Sequence, residues 1–176
     1  VYVSVLDVNY DSSYIVGTAD ETDAILNISG DITSTGSGSN VGIIKDGTNV
    51  TGTLTLSGTG TQTVDAAIGT STADFGTVTV GSLSEATFNE DIYATTLTTN
   101  DNSFIFAGDT LDVTSGINSA TVGNGAMTLS GTGTQTIDAT IGTSTTEFGT
   151  VTVGSSSDAT FSQDVYVTTL TTNNQT

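Results

Sequence analysis

Carboxylates are the residues with the most scope for chemistry in this chain. Its 176 residues carry 19 acids against a single base, Lys45, for a formal net charge of −18. Most of the acids are Asp, and they cluster as Asp7/Asp11, Asp20/Glu21/Asp23, Glu90/Asp91 and Asn100/Asp101/Asn102. Hard cations take oxygen ligands from such groups at loop corners. Asp20, Glu21, Asp23, Asp91 and Asp101 are therefore the candidate metal ligands, and Ca2+ is the only cofactor the residues suggest. Against this, there is no Asp-x-Asp-x-Asp-Gly loop and no Gly-Gly-x-Gly-x-Asp nonapeptide. The plainer alternative is a solvated acidic surface that keeps the protein soluble. Carboxylates paired as Asp65 with Asp91, or Asp138 with Asp164, also have the chemistry of glycoside hydrolysis. They recur without one specialised site and without any Arg nearby, so the reading is of a protein that is not an enzyme.

The missing residues narrow the choice further. His and Cys are absent, which removes His-based triads, thiolate nucleophiles and thiolate or imidazole metal sites. One base among 176 residues cannot neutralise phosphates, so nucleic acid is not an expected partner. No apolar run approaches the roughly 18 residues of a membrane helix, so membrane insertion is not expected either. No basic-then-apolar leader opens the chain, which starts at Val1; the expectation is a mature product or a window of a longer protein.

The elements that must position these acids are written in a repeat. Residues 53–100 recur at 126–173 without a gap, with three quarters of the 48 positions identical. Inside this 73-residue unit runs a shorter period. Cut into lines of 19, 19, 19 and 16 residues, the unit places Leu56, Phe75, Ala94, Val113, Leu129, Phe148 and Val167 in one column. Leu54, Ala73, Ile92, Leu111, Met127 and Val165 fall in a second, and Ile68, Phe88 and Phe106 fall near a third. Short alternating runs broken by Gly, Ser, Asn and Asp, at a fixed spacing, predict an all-β parallel β-solenoid with coils of about 19 residues. A single coil cannot bury its own apolar side chains, whereas stacking at about 4.8 Å buries them and pairs the backbone along the axis. The chain has no Pro, which would delete a ladder hydrogen bond.

The division follows. Residues 1–20 form an irregular β N-terminal segment, read as a cap on the stack or a strand donated to a neighbour. Residues 21–52 are degenerate coils, on the likeness of Ile28-Ser-Gly-Asp31-Ile32 to Phe88-Asn-Glu-Asp91-Ile92 and Phe161-Ser-Gln-Asp164-Val165. Residues 53–125 are the first repeat unit and 126–176 an incomplete second one. The alternating, Tyr-rich opening makes Val1, Tyr2, Val3, Val5, Tyr10 and Tyr14 the candidate contacts between subunits. Thr-x-Thr runs such as Thr77-Val-Thr79 suggest an ice-binding array, but their positions shift within the 19-residue line, and ordinary β-propensity on a solvent face explains them equally. Asn-x-Ser/Thr sequons stand at Asn27, Asn49 and Asn174.

The Thr-, Gly- and Asn-rich lines, such as FGTVTVGSLSEATFNEDIYATTLTT, resemble the repeats of bacterial surface β-helix proteins, the autotransporter passengers and filamentous-haemagglutinin-type adhesins. The resemblance covers residues 53–176 and rests on composition and period. It implies a right-handed β-helix, secreted to the cell surface, acting in adhesion or as a stalk. The expected function is that of an extracellular structural protein, a subunit or segment of a self-assembling surface filament, with itself as partner. The alternatives are an adhesin segment binding surface glycans, an ice-binding protein and a phage fibre.

Overall fold

A computed structural model describes residues 2–3, 6–8, 13–16, 23–34, 42–45 and 51–173. Every described element is a β-strand: β1 (Tyr2–Val3), β2 (Leu6–Val8), β3 (Ser13–Val16), β4 (Asp23–Ile28), β5 (Ile32–Ser34), β6 (Gly42–Lys45), β7 (Thr51–Leu56), β8 (Gly60–Val64), β9 (Ala67–Ile68) and β10 (Phe75–Val80). They continue as β11 (Ser84–Phe88), β12 (Ile92–Thr98), β13 (Ser103–Phe106), β14 (Thr110–Asn118), β15 (Ala126–Leu129), β16 (Gly133–Ile141), β17 (Phe148–Val153), β18 (Ser157–Phe161) and β19 (Val167–Thr172).

The pairings between these strands are parallel and resolve into three ladders. The first runs β1, β4, β7, β10 and then the C-terminal halves of β12, β14 and β16, ending in a bridge from Ile141 to Val165. The second runs β2, β5, β8, β11, β13, β15, β17, β19. The third runs β3, β6, β9, the N-terminal halves of β12, β14 and β16, and β18. The chain visits the ladders in the order first, second, third and begins again, which makes a three-sided parallel β-solenoid. The long strands β12 and β14 turn a corner within themselves, and the register slips there, between Ala94 and Leu97 and between Val113 and Ile117.

Coil length is not uniform. Val78 to Leu97 is one coil of 19 residues and Leu97 to Ile117 one of 20. Leu54 to Val78, Ile117 to Ile141 and Ile141 to Val165 each take 24. The added residues leave the coil as loops at 69–74, 119–125 and 142–147. As a result the 73-residue unit does not span a whole number of coils. Thr77–Val80 lies on the first ladder, whereas its repeat, Thr150–Val153, lies on the second. Gln62 lies on the second ladder and its repeat Gln135 on the third. One unit advances three coils plus one face, so the second copy is turned by a third of a coil.

Apolar columns fill the interior. Phe75, Ala94 and Val113 stack in register, as do Val64, Phe88, Phe106, Leu129 and Val153, and all are buried. Phe88 meets Phe104 edge to face, with ring centroids 6.1 Å apart at 77°. Burying each such side chain contributes roughly 1.5–3 kcal/mol.

Four inward polar residues, Gln62, Ser84, Gln135 and Ser157, lock the corners. Gln62 accepts from Gly58 N at 2.8 Å and donates Nε2 to the carbonyls of Ile28 at 3.1 Å and Gly30 at 2.6 Å. Gln135 repeats this on Gly131, Phe106 and Gly108. The Ser84 hydroxyl reaches the Leu56 and Gly58 carbonyls, and Ser157 reaches those of Leu129 and Gly131. The carbonyls of Ile28, Leu56, Phe106 and Leu129 also accept a backbone N–H of the next coil, whereas at the bend the side chains supply donors to Gly30, Gly58, Gly108 and Gly131. The signal was present in the sequence, as the identical SGTGTQT segments of both units.

Candidate functional site

Of the acids expected to bind metal, Asp91 and Asp101 have described side chains, and each is tied to a neighbouring coil. Asp20 and Glu21 lie outside the described residues, and Asp23 opens β4. Asp91 Oδ1 accepts the backbone N–H groups of Asp109 at 3.0 Å and Thr110 at 2.8 Å, one coil on. Asp101 sits at a left-handed φ of 71°. It accepts from Ser119 Oγ at 2.7 Å, Thr121 N at 2.6 Å and Thr121 Oγ1 at 2.7 Å. The Thr121 and Ser119 hydroxyls hold its carboxyl down to about 2. Both side chains staple neighbouring coils with the oxygens a cation would need. Among the described residues no group of three or more acids is placed to hold a metal ion.

Two acidic neighbourhoods form on the flank instead. Burial, then the charges of Asp91, Asp65 and Asp109, push the Glu90 carboxyl up. Burial, then Asp74 and Asp138, push Asp112 up. Asp112 and Asp138 are direct ladder partners, so their backbones stand about 4.8 Å apart along the stack. Gln163 and Ser162 donate to Asp138 and lower it. Neither of the carboxylate pairs considered for hydrolysis is free of such ties: Asp65 accepts from Asn89 at 2.6 Å, and Asp91 is held as described.

The Thr-x-Thr runs are in better register than the 19-residue lines suggested. Thr53, Thr77 and Thr96 stack, and so do Thr55, Thr79 and Thr98, on the outer face of the first ladder. Thr150 stacks on Thr169, and Thr128, Thr152 and Thr171 form a column, on the second ladder. The turn between repeat units puts these two arrays on different sides of the solenoid.

Apolar side chains are also less covered at the rung formed by β18 and β19. Among the described residues no strand lies on its far side. Phe161, Val165 and Val167 are only partly buried against the core, and Leu170 is 51% exposed. A groove of about 570 Å³ opens there between Val153, Ala159, Phe161 and Leu170. The equivalent residues of the first unit, Phe88, Ile92, Ala94 and Leu97, are fully buried because β13 and β14 cover them. At the other end, Tyr2 and Val3 lie in β1 and Tyr14 in β3, the first rungs of their ladders. Val1, Val5 and Tyr10 lie outside the described residues.

No protein-family model, curated protein or solved structure matches this chain, so its function has to be argued from the stack itself.

Proposed function

We propose that this is an extracellular structural protein, not an enzyme, whose work is to extend a β-solenoid rod by stacking on further copies of itself, as a subunit or segment of a surface filament or stalk. The observation that carries this is the ladder architecture: all three ladders are parallel and keep one polarity along the stack, so a further coil of the same kind continues every ladder at once. The apolar columns they enclose contribute the burial energy, and the acidic, Thr-rich flank limits side-to-side aggregation.

Negative-stain electron microscopy of the purified protein, with and without EDTA, tests this. Fibres with a regular axial repeat are expected, and fibres that vanish in EDTA would bring Ca2+ into the assembly through the Asp clusters. Short dispersed rods at every concentration and ionic strength would overturn self-assembly and leave an adhesin segment binding surface glycans.

Ice binding is the second reading, favoured by the stacked Thr53/Thr77/Thr96 and Thr55/Thr79/Thr98 columns. Each array is only three rungs deep, about 10 Å along the axis, and the third-of-a-coil turn keeps the two arrays from merging into one plane. Thermal hysteresis that falls when Thr77 is replaced by Tyr would favour this reading over the filament.

A further inference from the structure

Loop 119–125 leaves the coil between β14 and β15, and its Asn124-Gly125 is the one place in the chain where Asn precedes Gly. Asn124 is exposed, as are Thr121, Val122 and Gly123 before it. The backbone around it is held at most points. Asn124 N donates to Thr121 O at 3.1 Å, Asn124 O accepts from Gly149 N at 2.7 Å, and Gly125 O accepts from Thr150 N at 3.0 Å. The exception is the Gly125 N–H, which has no acceptor among the described residues. Packing also excludes a side chain at 125: φ is +81°, and a Cβ would stand 2.8 Å from the Phe148 ring. So the fold itself keeps an unhindered, unengaged backbone nitrogen one residue after an exposed asparagine amide, the more labile kind of side chain. Other asparagines are placed differently. Asn89 Nδ2 donates to Asp65 at 2.6 Å and Asn102 Nδ2 to the Gly81 carbonyl at 2.6 Å. Asn102 and Asn118 each precede Ser, whose side chain crowds the following nitrogen. The Asn124 amide meets the Asp101 carboxylate, a tie between two groups at the surface.

We propose that Asn124 is a site of spontaneous covalent modification in the folded protein, with water as its co-reactant. The Gly125 nitrogen attacks the side-chain carbonyl carbon of Asn124 and gives up its proton. The C–N bond of the amide breaks and ammonia leaves, which closes a five-membered imide. Water then opens the imide at either carbonyl, giving aspartate or isoaspartate, and nothing is oxidised or reduced. This chemistry is independent of the stacking reading above, but its consequence falls on the stack. Both products place a new negative charge on a shallow cleft that Asn124 shares with Glu85 and Asp101. Isoaspartate also adds one atom to the backbone at the bend whose carbonyls hold Gly149 and Thr150 of β17, so it disturbs a tie between two coils.

Incubation of the intact folded protein at mildly alkaline pH, followed by peptide mass spectrometry over time, tests this. Asn124 is expected to be the first amide lost, ahead of Asn102 and Asn118. Part of its product should resist an endoproteinase that cuts before aspartate but not before isoaspartate. N124Q is expected to abolish the early mass gain. Asn102 or Asn118 converting as fast as Asn124 would overturn the proposal, and so would conversion of Asn124 only after unfolding in urea. The consequence for the stack is read by thermal unfolding of the aged protein beside N124D, which carries the charge without the added backbone atom. The aged protein is expected to have the lower Tm, and equal values would overturn the claim that the bend is disturbed.

Discussion

Phe88 and Phe161 occupy equivalent positions in two nearly identical stretches of sequence, yet one is buried and the other only partly so. The same holds for Ile92 against Val165, and Leu170 is exposed where Leu97 is buried. Within each unit the local devices are the same: Gln62 and Gln135 hold their corners alike, and Gly69 and Gly142 share a left-handed φ of 70° and 65°. Both glycines start a loop where a side chain would run into the carbonyl of Tyr93 or Tyr166. What differs is the neighbour above. In a stacked-coil protein the sequence of a unit fixes its turns and its inward columns, and the next coil fixes how much those columns are worth.

The hardest blow to this comparison would come from the two phenylalanines. Phe88→Ala is expected to cost about 3–5 kcal/mol, as for a buried aromatic whose site cannot collapse. Phe161→Ala should cost less than half of that. Urea unfolding followed by circular dichroism measures both. Equal costs would mean that the rung carrying Phe161 is covered in solution. The glutamines sharpen the comparison from the other side. Gln62→Ala and Gln135→Ala each remove the acceptor of a buried N–H, of Gly58 or Gly131, and the side-chain donor to the Gly30 or Gly108 carbonyl, while the Ile28 and Phe106 carbonyls keep the N–H groups of Ser57 and Ser130; each is expected to cost about 1–3 kcal/mol. Here the two units should agree, because the contacts lie within coils that both units have. A large difference would show that the corner lock depends on the ladder it faces.

The sequence made some of this legible and concealed the rest for a physical reason. The 19-residue lines placed Phe75, Ala94 and Val113 in one column, and they do stack. The same lines set Leu56 beside Phe75, whereas Leu56 pairs with Val80. They set Leu129 beside Val113, whereas Leu129 pairs with Phe106 and Val153. Each slip follows an extruded loop, at 69–74 or 119–125, written in the same Gly, Ser and Thr as the strand flanks. Hydrophobic period reports which residues face inward but not how many residues leave the coil at a corner. The third-of-a-coil turn between units was hidden for that reason, and with it the register of the Thr columns. Asp91 and Asp101 stood out as acids in loops, but their geometry serves backbone N–H groups and hydroxyls of the next coil.

The smallest expected effects separate the two kinds of acid in the first unit. The Thr121 and Ser119 hydroxyls hold Asp101 down to about 2, below its ordinary value near 3.8. A folded-state value below the unfolded one means that the ionised carboxylate stabilises the fold. That contribution is complete above about pH 4 and is lost as pH falls toward 2. Asp112 has the opposite sign: burial, Asp74 and Asp138 raise it, so its charge opposes folding at neutral pH and protonation on acidification relieves the strain. Asp112→Asn is therefore expected to raise the Tm at pH 7, by a gain under about 1 kcal/mol given how exposed the group is, and the gain should vanish as pH falls through the raised value. Asp101→Asn is expected to lower the Tm at pH 7 and to flatten its dependence between pH 4 and 2. Thermal unfolding of the two variants across that range gives curves that should approach the unaltered protein from opposite sides. If both approach from the same side, the acids act only through net charge, and the staple that ties Asp101 to Thr121 adds nothing of its own.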